Sequence, residues 1–449
     1  MPISPARAAA FDILLRVERE SSYASELLHS KTYERLPTPD HALATELVMG
    51  VLRWRIRLDE EISTASSQPL SRLDLEILIS LRLALYQFRW LDRIPARAAL
   101  HESVELVKRA RKRSAAPFVN AVLRKLSNKL VSSLVVNPQS PESVAAAWAH
   151  PTWLVERWIS NYGPTAAEAI CKHDQSIPKT GIRLRTLEAA AELQSEKIAL
   201  ANGVLLSNAR IVESGDITRS HALHNGAIAI QDEASQLVAA LAGHALPQNS
   251  RVLDCCAAPG GKTLAIADQN PHAAIIATEL HPHRARLLQK LLAAAKPGTK
   301  IEVVTSDARH LPLATPFDRI LADVPCSGTG TLARNPEIKW RLKPADLVEL
   351  HDRQFSILRS ALTYVAPKGR LIYSTCSLEK EENEDVVEEV LADNKSVRLV
   401  DCAAELARLK AGGELVWPDA SSLTRGPYLR TIPGFHPCDG FFAAILERS

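Results

Sequence analysis

The sequence predicts a multidomain chain with an all-helical front, a small α+β module and an α/β domain built on a parallel, doubly wound sheet. Three observations carry this. Residues 1 to about 130 show helical periodicity with no convincing strand. From Arg251 onward short apolar runs alternate with helical stretches, the pattern of parallel strands joined by crossover helices. The 449 residues are 46% hydrophobic and 23% charged, which suits about two to four ordinary cores and excludes disordered or collagen-like classes.

Helices are expected over PARAAAFDILLRVERE, ALATELVMGVLRWRIRLDEEI, LDLEILISLRLALYQFRWL and the stretch after Pro95, giving a helical domain over residues 1–135. Residues 132–147, SSLVVNPQSPESVAAA, lose periodicity and are rich in Ser, Pro and Asn, so they predict a linker. Residues 148–230 form the α+β module. They offer two helices, TWLVERWISNYG and PTAAEAICKHD, the strand GIRLR, a helix around LEAAAELQSEKIAL, and short strands near Val204 and Ile228. Residues 231–449 form the α/β domain, with strands RVLDCCA, AAIIATE, IEVVTSD, FDRILADVP and RLIYSTCS and a long helix over 345–366. The tail GFHPCDGFFAAILERS adds a turn at Asp439-Gly440 and a last strand.

Lys+Arg total 54 against 51 Asp+Glu, a net charge of +3, so charge favours a polyanion only where it is locally concentrated. One such place exists. Residues 97–129 carry nine Lys/Arg, including Lys129, against Glu102 and Glu105, centred on Lys108, Arg109, Arg111, Lys112 and Arg113. That run is either a phosphate-binding patch or a solvated helix end, where basic residues complement the helix dipole. No apolar stretch reaches the ~18 residues that cross a bilayer, and charges occupy the start where a signal peptide is apolar. A cytoplasmic protein with no membrane partner is expected.

The seven cysteines, an odd number without a Cys-x-x-Cys pair, write neither a disulfide framework nor a zinc site. His281 and His283 lack a third ligand in view, so no metal is expected. The first α/β strand runs into Asp254-Cys255-Cys256-Ala257-Ala258-Pro259-Gly260-Gly261-Lys262-Thr263, a glycine-bearing strand-to-helix turn where open α/β sheets bind nucleotides. A triphosphate loop ending in Gly261-Lys262-Thr263 needs glycine at position 256, where Cys256 stands. Glu279 in ATELHPHR lies where a carboxylate accepts ribose hydroxyls, and Asp307 in VVTSDAR closes the next strand. Three successive strand ends of this kind fit an adenosine ligand whose other end carries no phosphate. S-adenosylmethionine meets that description.

Two later strand ends carry thiols, in Asp323-Val324-Pro325-Cys326-Ser327-Gly328-Thr329-Gly330 and in Ser374-Thr375-Cys376-Ser377. Both fall on the cofactor edge of the expected sheet. With an ordinary pKa of ~8.5 only a few per cent of such a thiol is ionised at neutral pH, so a site that uses it must favour the thiolate.

These segments, DCCAAPGGKT, DVPCSGTG with the downstream NPEIKW, and YSTCS followed by EEN, resemble those of the RNA cytosine-C5 methyltransferases. The helical front resembles the NusB-like RNA-binding fold, and the combination is similar to the bacterial 16S ribosomal RNA cytosine-C5 methyltransferases of the Sun/Fmu family over nearly the whole chain. The DNA enzymes use one essential thiol in a Pro-Cys context, so the second, Thr375-Cys376, points toward RNA. The resemblance implies a Rossmann-like methyltransferase domain with 16S ribosomal RNA as its partner, working as a monomer. It implies that Cys376 attacks C6 of the base, that Cys326 assists release, and that Asp323 holds the N3 side. It further implies that Cys256 to Lys262, Glu279, Asp307 and Asp323 hold S-adenosylmethionine. Lys262 is expected to help near the methionine or the base, its alternative being a helix-start lysine with no role.

Two rival readings stay open at this point. One is a non-enzymatic RNA-binding or antitermination factor whose α/β domain is a scaffold, against which the intact pair Cys326 and Cys376 speaks. The other is a methyltransferase of transfer RNA or protein.

Overall fold

The computed structural model describes residues 3–20, 22–33, 35–128, 140–186, 188–296 and 298–449. The chain forms two compact units, Met1–Ile177 with Leu332–Arg341, and Pro178–Thr331 with Leu342–Ser449. These limits differ from the three expected domains. The two helices expected in the α+β module, Thr152–Tyr162 and Pro164–Asp174, belong to the first unit, and the strands of that module belong to the second.

The first unit is helical throughout its described residues. Helices Pro5–Glu20, Thr38–Arg53, Arg55–Ala65, Leu75–Trp90, Ala96–Arg109 and Ala116–Ser127 bury one apolar core that includes Ile13, Leu47, Leu81, Leu85 and Leu123. The run ALATELVMGVLRWRIRLDEEI is two helices rather than one, because Trp54 leaves helical geometry and its ring stacks on Trp90 at 5.1 Å. Part of the expected linker is also helical. Residues 132–139 lie outside the described residues, but Pro141–Ala147 is a helix whose start is capped reciprocally by Ser140 and Ser143. Ser and Pro read there as loop formers are the N-cap and first-turn residues of a helix.

The segment Leu332–Arg341 is part of this helical unit although its neighbours in sequence are not. Lys339 Nζ donates to Arg53 O at 3.1 Å and Trp340 Nε1 to Leu52 O at 2.6 Å, so both supply donors to carbonyls left open at the end of helix Thr38–Arg53. Arg53 donates to Ala333 O at 3.0 Å, Ala24 N donates to Glu337 at 2.7 Å, and Arg341 donates to Val17 O at 2.7 Å. Lys339 is fully buried, and burial brings its ammonium down to about 7.

The second unit holds two sheets. The smaller is antiparallel, with β1 (Thr180–Leu184), β2 (Ala199–Asn202), β3 (Ala209–Ser214) and β4 (Ile228–Ile230) in the order β2-β3-β1-β4. The strand expected near Val204 is instead the turn between β2 and β3, whose amides at Val204, Leu205 and Leu206 all donate to the Glu233 carboxylate.

The larger sheet contains β5 (Arg251–Asp254), β6 (Ala274–Glu279), β7 (Lys300–Thr305), β8 (Phe317–Asp323) and β9 (Val365–Thr375), parallel in the order β7-β6-β5-β8-β9. Beyond β9 the sheet turns antiparallel through β13 (Phe441–Arg448), which also pairs β12 (Tyr428–Thr431) and β10 (Val397–Val400), while β11 (Thr424–Arg425) pairs β12. The sheet is therefore mixed. Alternate residues feed two cores: Val252, Leu321 and Ile372 pack with the helix Glu233–Gly243, whereas Leu253, Ile320 and Leu371 pack with Asp346–Leu362. Parallel strands all end at one edge, so Asp254, Glu279, Asp323 and Thr375 share it. Among the described residues no helix is long and apolar enough to cross a membrane.

Candidate active site

The turn after β5 is strapped down by the sheet: Cys255 N donates to Leu321 O and Ala257 N to Thr278 O, each at 2.9 Å, and Arg284 donates to Ala258 O at 3.1 Å. Gly260 closes the turn with φ of 114°, a conformation that favours glycine, and Gly261 starts the helix Gly261–Gln269. A side chain at Gly261 would meet nothing nearer than Gln231 at 3.5 Å, so the helix start presents open backbone. Asp254 is buried, accepts from Thr263 at 2.6 Å on one oxygen, and has no hydrogen-bond partner on the other. Burial pushes it up to about 6.

Lys262 lies in the first turn of that helix and donates to Asp323 at the end of β8, Nζ to Oδ2 at 2.6 Å. Ser374 donates to the other Asp323 oxygen at 2.7 Å. The Lys262 ammonium also lies 5.0 Å from the centre of the Phe441 ring. Burial disfavours its charge, but Asp323 outweighs burial and Cys376 acts in the same direction, so Lys262 is held above its ordinary range.

Cys326 and Cys376 stand with their sulfurs 3.3 Å apart, both half-buried. The hydrogen bond with Cys376, reinforced by burial, raises Cys326 well above the usual thiol range. Two backbone contacts fix the Cys326 loop: Gly330 N donates to Cys376 O at 2.9 Å, and Gly440 N donates to Gly330 O at 2.8 Å. A Cβ on Gly330 would fall 2.2 Å from Gly440 O, so this crossing requires glycine. Cys255, Cys171, Cys402 and Cys438 are buried and Cys256 is half-buried. Burial also lifts Cys256 well above the thiol range.

Glu279 ends β6 almost wholly buried; Oε1 accepts from His281 N at 2.9 Å, and Oε2 faces Arg284 at 3.7 Å. Asp307 pairs closely with Arg309, whose hydrogen bonds lower it below its ordinary value. Lys262, Asp323, Cys326 and Cys376 thus converge, with Glu279 and Asp307 at neighbouring strand ends.

The basic run lies in the first unit and is less free than the sequence suggests. Lys108 pairs with Glu105 and Arg109 with Asp12, each at 2.6 Å, and Lys112 pairs with Asp74 at 2.9 Å. The helix ends at Arg109, and Arg111 takes a φ of 62°. Lys129 lies outside the described residues.

The sequence did not single out the residues beneath the thiols. Glu382 and Asn383, inside the charged run Lys380–Asp385, are fully buried and bind both cysteine loops. The only sequence mark of them was the EEN that follows YSTCS.

The chain is similar to known proteins in sequence and in fold. The family described as 16S rRNA methyltransferase RsmB/F matches residues 243–447, and the NusB family matches residues 4–128. A probable ribosomal RNA small subunit methyltransferase B of Bacillus subtilis is 35% identical over 98% of each chain, and one of Synechocystis is 31% identical over 99% of each. Two solved structures share the fold. PH0851 has a TM-score of 0.81 at 24% identity, covering 100% of this chain and 99% of its own. NSun6 of Pyrococcus horikoshii, solved with SFG, has 0.56 at 20% identity, covering 66% of this chain and 98% of its own. Relatives this similar over nearly the whole length of both chains mean that the chain belongs to the ribosomal RNA small subunit methyltransferase B family of S-adenosylmethionine-dependent RNA methyltransferases.

Proposed function

We propose that this enzyme methylates C5 of a cytosine in 16S ribosomal RNA through a covalent bond between Cys376 and C6. The observation that carries the reading is the 3.3 Å thiol pair beside the Lys262–Asp323 ion pair. The names of the curated relatives support ribosomal RNA as the substrate class.

The residues present fit the cofactor. Gly261 leaves open backbone at a helix N-terminus, Asp254 keeps a buried oxygen without a hydrogen-bond partner, and Glu279 Oε2 faces only Arg284, at 3.7 Å. Glu279 would hold the ribose, with Asp307 and the turn from Cys256 to Lys262 around the adenosine. When bound, S-adenosylmethionine supplies an electrophilic methyl group on a sulfonium.

The chain's own part begins with the thiol. C5 of cytosine is a weak nucleophile, so the Cys376 thiolate first adds to C6, forming a C6–S bond and making C5 enamine-like. The Lys262 ammonium favours that thiolate, and Cys326, with its raised pKa, stays protonated and can donate to the Cys376 sulfur. N3 takes up a proton from water as the C6–S bond forms, the Asp323 carboxylate accepts a hydrogen bond from that N3–H, and the N3 proton returns to water on release. The C5–methyl bond forms as the methyl–sulfonium bond breaks; the C5 proton then passes to water and the C6–S bond breaks, restoring the aromatic ring and the Cys376 thiolate. Cys326 serves this release.

The base must leave its stack to reach the thiol, at a cost of a few kcal/mol, which favours a loop or bulge as the target. In this reading residues 1–135 grip RNA through the basic run, residues 148–230 orient it and residues 231–449 carry out the chemistry, in the cytoplasm and as a monomer. Bisulfite sequencing of RNA from cells with and without the gene tests it. A 16S cytosine that loses its protection when the gene is deleted is the expected result, and protection lost in transfer RNA instead would move the substrate.

A further inference from the structure

We infer that Glu382 is a positioning residue that joins the two thiol loops and sets the spacing of Cys326 and Cys376. This rests on the two-thiol reading above. Glu382 is fully buried, and among the described residues no ion pair gives it a counter-charge. Four donors take that place. Ser327 N donates to Oε1 at 2.8 Å and Gln354 Nε2 at 2.9 Å, while the hydroxyls of Ser327 and Ser377 both donate to Oε2. Ser327 and Ser377 are the residues that follow Cys326 and Cys376. One carboxylate therefore grips both loops one residue beyond each sulfur.

The rest of the cluster tightens the same joint. Gln354 Nε2 also donates to Pro325 O at 3.0 Å, Asn383 Nδ2 donates to Ser377 O at 2.9 Å, and Tyr373 donates from its hydroxyl to Glu382 O at 2.6 Å. A carboxylate taken out of water is stable only when its oxygens are filled by well-aimed donors. Emptying the position leaves four buried donors without their acceptor and frees the loops to separate.

The test pairs a thiol readout with kinetics on the full chain. Dibromobimane fluoresces when it bridges two nearby thiols, and peptide mapping identifies the bridged pair. Wild type should form a Cys326–Cys376 bridge. In Glu382→Ala, and in Glu382→Gln, which keeps the side-chain size should alanine not fold, the bridging rate should fall. In both, kcat should fall about 10–100-fold, the scale of an ångström of misplacement, with KM for RNA and S-adenosylmethionine affinity unchanged. Glu382→Asp should recover part of the rate. An unchanged bridging rate overturns the assignment, as does slowed bridging with unchanged kcat. Cys376→Ala and Cys326→Ala run alongside: if both turn over normally, the two-thiol reading has failed, whereas if they are impaired and the Glu382 variants are not, only the positioning role has failed.

Discussion

Lys262 Nζ and Asp323 Oδ2 meet at 2.6 Å, joining the first turn of helix Gly261–Gln269 to the end of β8 at the edge where both thiols stand. The pair is largely shielded from water, with side-chain exposures of 13% and 26%. Because Lys262 is held above its ordinary value, the pair is complete below the ordinary lysine range and is lost only as pH rises through the raised value. Neutral conditions leave it intact.

Lys262→Ala should lower the single-turnover methyl-transfer rate about 100-fold, the scale for removing one charge-stabilising group. The rate profile should also move to higher pH, because an ammonium beside a thiol favours its anion. A pH–rate series on both enzymes checks this, and a slower enzyme with an unmoved profile would leave Lys262 holding Asp323 and nothing more.

Asp254 predicts a stability effect of the opposite kind. Its folded value of about 6 lies above the ordinary 3.8, so the native state favours the protonated form, and the stability this gives is complete below about pH 4 and lost as pH rises through 6. Asp254→Asn should be more stable than wild type at pH 7 by about 2–3 kcal/mol. Denaturant melts between pH 4 and 7 should show the difference growing across that window and flat above it.

The two thiols are told apart by when each acts. Cys376→Ala should bind cofactor and RNA without forming a covalent bond. Cys326→Ala should transfer the methyl group and then stall, so that a protein–RNA adduct survives denaturing electrophoresis. An adduct with Cys376→Ala instead would exchange the two roles, and an adduct with neither would remove covalent catalysis.

Pairing within the basic run changes what salt titrations should reveal. Lys108, Arg109 and Lys112 already face carboxylates, so neutralising Arg111 and Arg113 should have the larger effect on RNA affinity. For every phosphate that a variant no longer neutralises, the slope of log affinity against log salt should fall by about 0.7–0.9. A slope that stays put in the double variant makes the run a solvated helix end.

The parallel strands were legible because a strand buried on both faces writes a short apolar run, and RVLD, AIIATE and FDRILAD do so. The glycine turn after β5 and both strand-end cysteines were legible because each stands just after such a run. Glu382 was not, since its neighbours make it look like one more solvated charge and only the tertiary fold supplies its four donors. The helix Pro141–Ala147 was hidden because Ser and Pro mark loops and helix starts alike. Nothing in NPEIKW reveals that Glu337, Lys339 and Trp340 belong to the helical unit, because their partners lie about 300 residues upstream.

That excursion has a consequence for how the protein is born. A ribosome releases the chain from its N-terminus, and domains ordinarily fold as they emerge. Here the helical unit is missing ten of its residues when Ile177 appears, and receives them only after Arg341, more than 160 residues later. At translation rates of about 5–20 residues per second that is a wait of roughly 8–30 s. Until then the Arg53 guanidinium lacks its Ala333 acceptor, and the Leu52 carbonyl lacks the Trp340 donor that finishes its helix. The amino-terminal half of this enzyme is therefore finished from the carboxyl-terminal half, and the order of synthesis is not the order of completion.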